Sequence, residues 1–268
     1  MNNLKKNNIR TAVILCGGKG SRLGELGKKI PKTLVKVQSK PVLWYILNIL
    51  KKNSFNHFIL TLGYRGSMIK EYLKNNKNFN NFNIEAIPTG SNASIAQRIF
   101  KIKNKIRSNN FLLLNSDAIF DDNLNKFYNN HERKKYGITF LGCSAKLNLG
   151  IVGKVKNKIV SFERDIDFNS VKKKNYSNFV GYVYSGISII SNKILRLNFK
   201  NFINFEKKFY PKIIKKYKSN FESMNGFWYS IDNVKDINIA NNKVFKKYLL
   251  IKKIKKKLII YEKKFLEK

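Results

Sequence analysis

The chain has 268 residues, 43% of them hydrophobic, enough for one large domain with a sizeable core. Its 54 Lys and Arg against 16 Asp and Glu give a formal net charge of +38, which raises a polynucleotide or an anionic membrane as partner. The excess is diffuse and accompanies abundant Asn, Ile, Phe and Tyr, as in a chain drifting with AT-rich coding, so nucleic acid is not expected as a partner.

The segment MNNLKKNNIRT (1–11) is basic, but the apolar run after it is too short for a secretory signal. Residues 1–10 read as a disordered tail and a cytoplasmic location is expected. β-Branched apolar runs follow at TAVILC (11–16), HFILTL (57–62), NIEAI (83–87), FLLLN (111–115) and GITFLG (137–142). Between the first three lie amphipathic segments of helix length, PVLWYILNILKK (41–52) and SMIKEYLKN (67–75). Continuous apolar strands alternating with helices predict an α/β, Rossmann-like three-layer fold around a mostly parallel sheet.

After residue 145 the pattern changes. IVGKVKNKIVSFERD predicts a hairpin turning at Lys156-Asn157-Lys158, followed by a polar segment (167–178). VGYVYSGISII (180–190) reads as a strand, residues 192–220 as mostly helical, and NGFWYSID (225–232) as extended chain. This later part is expected to be a smaller β/helical addition covering a pocket, within a domain spanning 11–243. Residues 244–268 alternate lysines with large aliphatics and predict a basic amphipathic helix. That helix could touch an anionic membrane surface, or pack on its own domain or on a second subunit. A homo-oligomer is expected, and no segment has the roughly 18 to 20 continuous apolar residues of a membrane span.

The loop CGGKGSR leaves the first strand at its carboxyl end, where open α/β sheets bind ligands. Gly17, Gly18 and Gly20 let backbone amides approach an anion. A dinucleotide fingerprint would need glycine where Leu23 stands, and a P-loop would need Gly-Lys-Ser/Thr where Gly20-Ser21-Arg22 stands. What remains is Arg22 and Lys32, the latter set by Pro31. Two cations on one loop suit an extended anion such as a triphosphate. Among the few carboxylates, Asp117 follows the apolar run FLLLN and Asp232 ends WYSID, whereas Asp121 and Asp122 read as cap or turn residues. Cys16 and Cys143 offer neither a disulfide framework nor metal spacing. His57 and His131 are isolated and read as non-catalytic, and Trp44 and Trp228 as core or wall residues.

GGKGSRL, then PKTLVKV, then KPVLWYI, spanning Gly17 to Ile46, resembles the signature of nucleotidyltransferases that make NDP-sugars. GYRGSMIKEYL (63–73), TGSNASIAQR (89–98) and NGFWYSIDNVKD (225–236) resemble the glucose-1-phosphate cytidylyltransferase branch, with Thr89, Gly90 and Arg98 in register. The resemblance implies joining of CTP and a sugar 1-phosphate, or a similar phosphorylated metabolite, with release of pyrophosphate, for surface polysaccharide precursors. It implies a nucleotide half at 11–145 and a substrate half at 146–243. Leu15, Gly17, Gly18, Gly20, Ser21, Arg22, Thr89, Gly90 and Ser116 would hold the nucleotide, with Arg22 and Lys32 catalytic. Asp117 and Asp232 would hold Mg²⁺. Lys32, Glu163, Arg164 and Gly186 would meet the phosphorylated substrate, although Glu163-Arg164 reads equally as a hairpin surface pair. Ile95-Ala96-Gln97 replaces the branch's Thr-Gly-Gly and Asn233 its threonine. The first departure bears on recognition of the base or sugar, so GTP, dTTP or UTP, or a non-sugar phosphate acceptor, stay open.

Overall fold

In the computed structural model, which describes residues 9–143, 151–155, 158–163, 181–199 and 204–244, TAVILC forms β1 (Thr11–Cys16) at the heart of the sheet. The chain continues through α1 (Glu25–Lys29), β2 (Lys36–Val37), β3 (Lys40–Pro41), α2 (Val42–Lys52), β4 (His57–Leu62), α3 (Gly66–Asn75) and β5 (Ile84–Pro88). Next come α4 (Ile95–Ile102), β6 (Asn110–Asn115), β7 (Ala118–Asp121), α5 (Leu124–Arg133) and β8 (Ile138–Cys143). The later elements are β9 (Ile151–Val155), β10 (Lys158–Glu163), β11 (Val183–Ser191), α6 (Phe205–Lys216), β12 (Ser219–Ser223), β13 (Phe227–Ser230) and α7 (Val234–Ile239).

Seven strands make the central sheet in the order β12-β8-β11-β6-β1-β4-β5. β11 runs antiparallel to both its neighbours, while β1, β4, β5 and β6 pair parallel, as do β8 and β12. Side chains alternate across the strands and feed two cores. Ala12, Ile14, Phe58, Leu60, Leu112 and Leu114 join one core with α2, α3 and α5. Val13, Ile59, Phe111 and Leu113 join the other with α4 and α6. Both faces are therefore covered, the reason these strands read as mostly apolar runs without alternation.

The second half mostly extends the sheet. β11 is inserted between β6 and β8, and β12 (Ser219–Ser223) begins on Ser219 and Asn220, the last two residues of the 192–220 segment expected to be mostly helical. The parallel ladder from Ser219↔Ile138 to Ser223↔Gly142 explains the difference. β8 would otherwise leave a row of backbone groups unpaired, and SNFES meets them as a strand. β9 and β10 form the expected hairpin, with Lys158 opposite Val155. Residues 167–178, the tail before residue 9 and the C-terminal segment beyond 244 lie outside the described residues. Among the described residues no helix is long and apolar enough to cross a membrane.

A small ribbon does most to build the site. β7 follows β6 directly and pairs antiparallel with β13, ending at Ser230↔Ala118. The pairing runs one step further, because the Ile231 amide donates to the Asp117 carbonyl at 2.8 Å. Two aspartates more than a hundred residues apart are thereby held side by side.

Candidate active site

A cavity of about 420 Å³ opens at the carboxyl ends of the parallel strands. Leu15, Gly17 and Gly18 line it from β1 and its loop, and Asn115, Ser116 and Asp117 from the end of β6. Lys32 and Thr33 close one side, and Ala93, Ser94, Ile95 and Arg98 the other. A larger cleft of about 860 Å³ lies at the opposite end of the strands, around Asn110, Gly137, Ser191 and Tyr217. Its lining holds a single carboxylate, Glu132, and none of the predicted site residues. The predicted site residues that line a cavity line the smaller one.

Lys32 is the centre of the charged side. Pro31 enters extended, at φ −66° and ψ 143°, and leads into a 3₁₀ turn over Lys32–Leu34 that aims the lysine inward. Its Nζ donates to Asp117 Oδ2 and to Asp232 Oδ1, both at 2.9 Å. Arg22 Nη2 reaches the same Asp232 oxygen at 3.1 Å. The Lys32 side chain is 14% exposed and that of Arg22 is 70% exposed, so the first is packed within the site and the second borders solvent. Burial opposes ionisation of Asp232. The hydrogen bond and charge of Lys32, then the charge of Arg22 and the Ser230 hydroxyl, outweigh it and hold the carboxyl below the ordinary aspartate value.

Asp232 also has a backbone brace. Its amide donates to Asp236 Oδ2 at 2.8 Å, and the Asn233 amide to the same oxygen at 3.0 Å. The Asn233 side chain in turn accepts from the Asp236 amide at 3.1 Å, completing a capping box on α7. Asparagine caps helices at least as well as threonine, so the departure at 233 preserves the local structure.

The glycine loop is shaped by close neighbours. Gly20 lies at φ +62°, in the left-handed region, before the short turn Ser21–Leu23 that carries Ser21 and Arg22. A Cβ on Gly17 would sit 2.0 Å from Arg98 Nη1. Arg98 is 5% exposed and reaches the loop from the first turn of α4. Burial lowers its pKa, the neighbouring Cys16 acting in the other direction. Ser116 donates to the Leu15 carbonyl at 2.7 Å and meets the Thr33 hydroxyl at 2.8 Å. Thr89 is buried and donates to the Leu62 carbonyl at 2.7 Å, with Gly90 beside it at φ +110°.

Gly186 sits at an irregularity in β11, packed on Asn115 at the cavity edge. The Trp228 indole donates to the Ser185 carbonyl at 3.0 Å, tying the ribbon to that irregularity. The structure thus gathers Arg22, Lys32, Asp117 and Asp232 into one cluster, with Leu15, Gly17, Gly18 and Ser116 on the adjoining wall. Glu163 ends β10 opposite Ile151, and Arg164 lies outside the described residues. Asp122 serves as the expected turn residue, accepting from the Asn123 and Gly226 amides.

The remaining reactive side chains are structural. Burial drives the Cys16 thiol up to about 12, which leaves it un-ionised and no nucleophile. Burial drives the His131 imidazole down to about 4, while His57 bridges Thr11 and Glu85 away from the cavity. Two residues that complete the cavity, Thr33 and Asn115, went unread in the sequence. Each is a neutral residue beside a charged or serine neighbour that attracts the eye first.

The sheet, the glycine loop and the lysine between two aspartates come together in one site at the carboxyl ends of the strands. The chain belongs to the nucleotidyl transferase family, whose model matches residues 11–247. It is 34% identical over 158 residues to a protein of Bacillus subtilis (strain 168) named probable glucose-1-phosphate cytidylyltransferase, covering 52% of this chain and 62% of that one. It is 35% identical over 128 residues to the D-glycero-alpha-D-manno-heptose 1-phosphate guanylyltransferase of Campylobacter jejuni subsp. jejuni, covering 46% of this chain and 54% of that one. The chain therefore spans less than two thirds of the length of these curated relatives. The crystal structure of HddC from Yersinia pseudotuberculosis complexed with GMP-PN shares the fold at a TM-score of 0.64 and 22% identity, covering 87% of this chain and 98% of that chain.

Proposed function

We propose that the protein transfers a nucleotidyl group from CTP to a sugar 1-phosphate or a similar phosphorylated metabolite, releasing pyrophosphate. The observation that carries this reading is the Lys32 ammonium, 2.9 Å from both Asp117 and Asp232 beside a glycine-loop cavity. In the proposed reaction a phosphate oxygen of the acceptor attacks the α-phosphorus in line. The new P–O bond forms as the bond to the β-phosphate breaks, and pyrophosphate departs with the bonding electrons. A phosphate is already a nucleophile, so the inert Cys16 thiol fits a reaction needing no covalent intermediate. Catalysis then rests on positioning and on cancelling charge that builds up during transfer.

Lys32 would meet the α-phosphate and the incoming phosphate, and the exposed Arg22 would fold over the leaving pyrophosphate. Leu15, Gly17, Gly18, Gly20, Ser21 and Ser116 would form the wall along which the triphosphate lies, with Thr89 and Gly90 toward the base. Gly186, at the β11 irregularity, would approach the acceptor.

Asp117 and Asp232 suit Mg²⁺, because two hard carboxylates converge on a single cationic point in this structure. Among the described residues no third carboxylate, histidine or cysteine joins them, which fits an ion completed by phosphate oxygens and water. When bound, Mg²⁺ would supply charge neutralisation and orientation to the triphosphate.

The Thr89-to-Arg98 register favours CTP. The similarity to a guanylyltransferase favours GTP as the second reading. The discriminating experiment is pyrophosphate release across the four ribonucleotides and dTTP with a panel of phosphorylated sugars and metabolites. CTP with a sugar 1-phosphate is expected to be fastest. Release with GTP but not CTP would replace the base assignment, and no release with any pair would reject the reaction.

A further inference from the structure

Arg98 stands where three segments of the cavity wall meet. It rises from the first turn of α4, whose leading residues Ser94 and Ile95 line the cavity. Its Nη1 donates to the Leu62 carbonyl at 3.2 Å and to Thr89 Oγ1 at 2.7 Å. Its Nη2 donates to the Gly17 carbonyl at 3.1 Å and, at 3.5 Å, to the Ser91 carbonyl. One guanidinium thus joins the end of β4, the loop before α4 and the first residue of the phosphate loop. Among the described residues it makes no ion pair.

The slot is built for it. A Cβ on Gly17 would come within 2.0 Å of the guanidinium, and one on Gly63 within 2.7 Å. Two glycines from separate segments stay bare where Arg98 passes. A planar fork can hold both sides together, which a lysine ammonium on a flexible stem cannot reproduce.

The loop that Arg98 grips on its other side runs directly into the changed residues. Ser94 and Gln97 form a reciprocal capping box, Ser94 donating through its amide at 2.8 Å and Gln97 through its own at 3.3 Å. This box locks residues 94–97 to α4, and the Arg98 amide donates back to the Ser94 carbonyl at 3.0 Å. A displacement of this wall by an ill-fitting base would carry Arg98 with it and pull on the Gly17 carbonyl.

We infer that Arg98 is a positioning residue that couples the base-facing wall to the phosphate loop, so that base fit is read out in the rate of transfer as well as in binding. The inference rests on the proposed nucleotidyl transfer. It differs from a simple structural role, because that role would slow every nucleotide alike.

The test uses the full chain carrying Arg98→Lys, which keeps the charge but loses the fork, and Arg98→Met, which loses both. Amide hydrogen exchange is followed at residues 17–21 without ligand, and kcat and KM are measured for the preferred and the poorest accepted nucleotide. In Arg98→Lys, exchange at 17–21 is expected to speed up by about tenfold. The kcat preference is expected to fall by about tenfold or more, through loss with the preferred nucleotide and little change with the poor one. Arg98→Met should follow the same pattern, and where it fails to fold Arg98→Lys carries the test alone. Equal slowing of both nucleotides, or wild-type exchange and preference in Arg98→Lys, would overturn the inference. A wild-type protein that releases no pyrophosphate from any nucleotide rejects the proposed function instead, while exchange at 17–21 still decides whether Arg98 holds the loop.

Discussion

The two sides of the cavity are held by different physics. On the Lys32 side, four charged groups from distant parts of the chain meet through ion pairs of 2.9 to 3.1 Å, with one carboxylate oxygen of Asp232 shared by two cations. These contacts are partly exposed, and in the proposed function phosphate oxygens would take over the two cations and Mg²⁺ the two carboxylates. On the α4 side, Arg98, Thr89 and Ser94 spend their polar groups on backbone carbonyls and amides. One side is poised to reorganise around charge, and the other is already committed to a shape. The contrast teaches where chemistry and where recognition would reside.

Breaking the charged side should have the largest effect. Replacing both Asp117 and Asp232 by asparagine leaves Lys32 without its two partners and removes the carboxylates proposed for Mg²⁺. The double variant is expected to lose transfer by about 10³-fold or more. Its thermal midpoint should fall only modestly, because the asparagine oxygens still offer the largely buried Lys32 ammonium neutral acceptors. A collapse of the fold alongside activity would show that the pairs are mainly structural.

The committed side should break differently. Gly17→Ala places a methyl group against the Arg98 guanidinium, which is buried and multiply bonded. Overpacking there is expected to destabilise by about 1 to 3 kcal/mol. The measurement is a denaturant midpoint together with KM for the nucleotide. A raised KM with a lowered midpoint sharpens the comparison. An unchanged midpoint would mean that the slot yields easily and that this side is less rigid than its hydrogen bonds suggest.

Much of the first half was legible from the chain itself. TAVILC, HFILTL and FLLLN place apolar residues on both sides of the strand, without a polar alternation, because both sheet faces are covered. The juxtaposition of Asp117 with Asp232 was legible only through resemblance to a family. Nothing in either segment's periodicity announces that β7 and β13 pair, because each is a four-residue strand. The start of β12, Ser219 and Asn220, falls at the end of the segment that the pattern marks as mostly helical, for a related reason. SNFES becomes a strand by meeting the open edge of β8, a tertiary circumstance that local pattern does not encode. Arg98 was visible as a matching residue, but its grip on Gly17 depends on two bare glycines brought together by the fold.

The most direct test of the charged centre is ³¹P NMR of the reaction with CTP, a sugar 1-phosphate and Mg²⁺, run with wild-type protein and with Lys32→Ala. The wild type should convert the triphosphate to pyrophosphate and a new diphosphate-linked product, and Lys32→Ala should do so at least about 100-fold more slowly. Turnover within a few-fold of wild type in Lys32→Ala, or release of inorganic phosphate in place of pyrophosphate, would contradict the account.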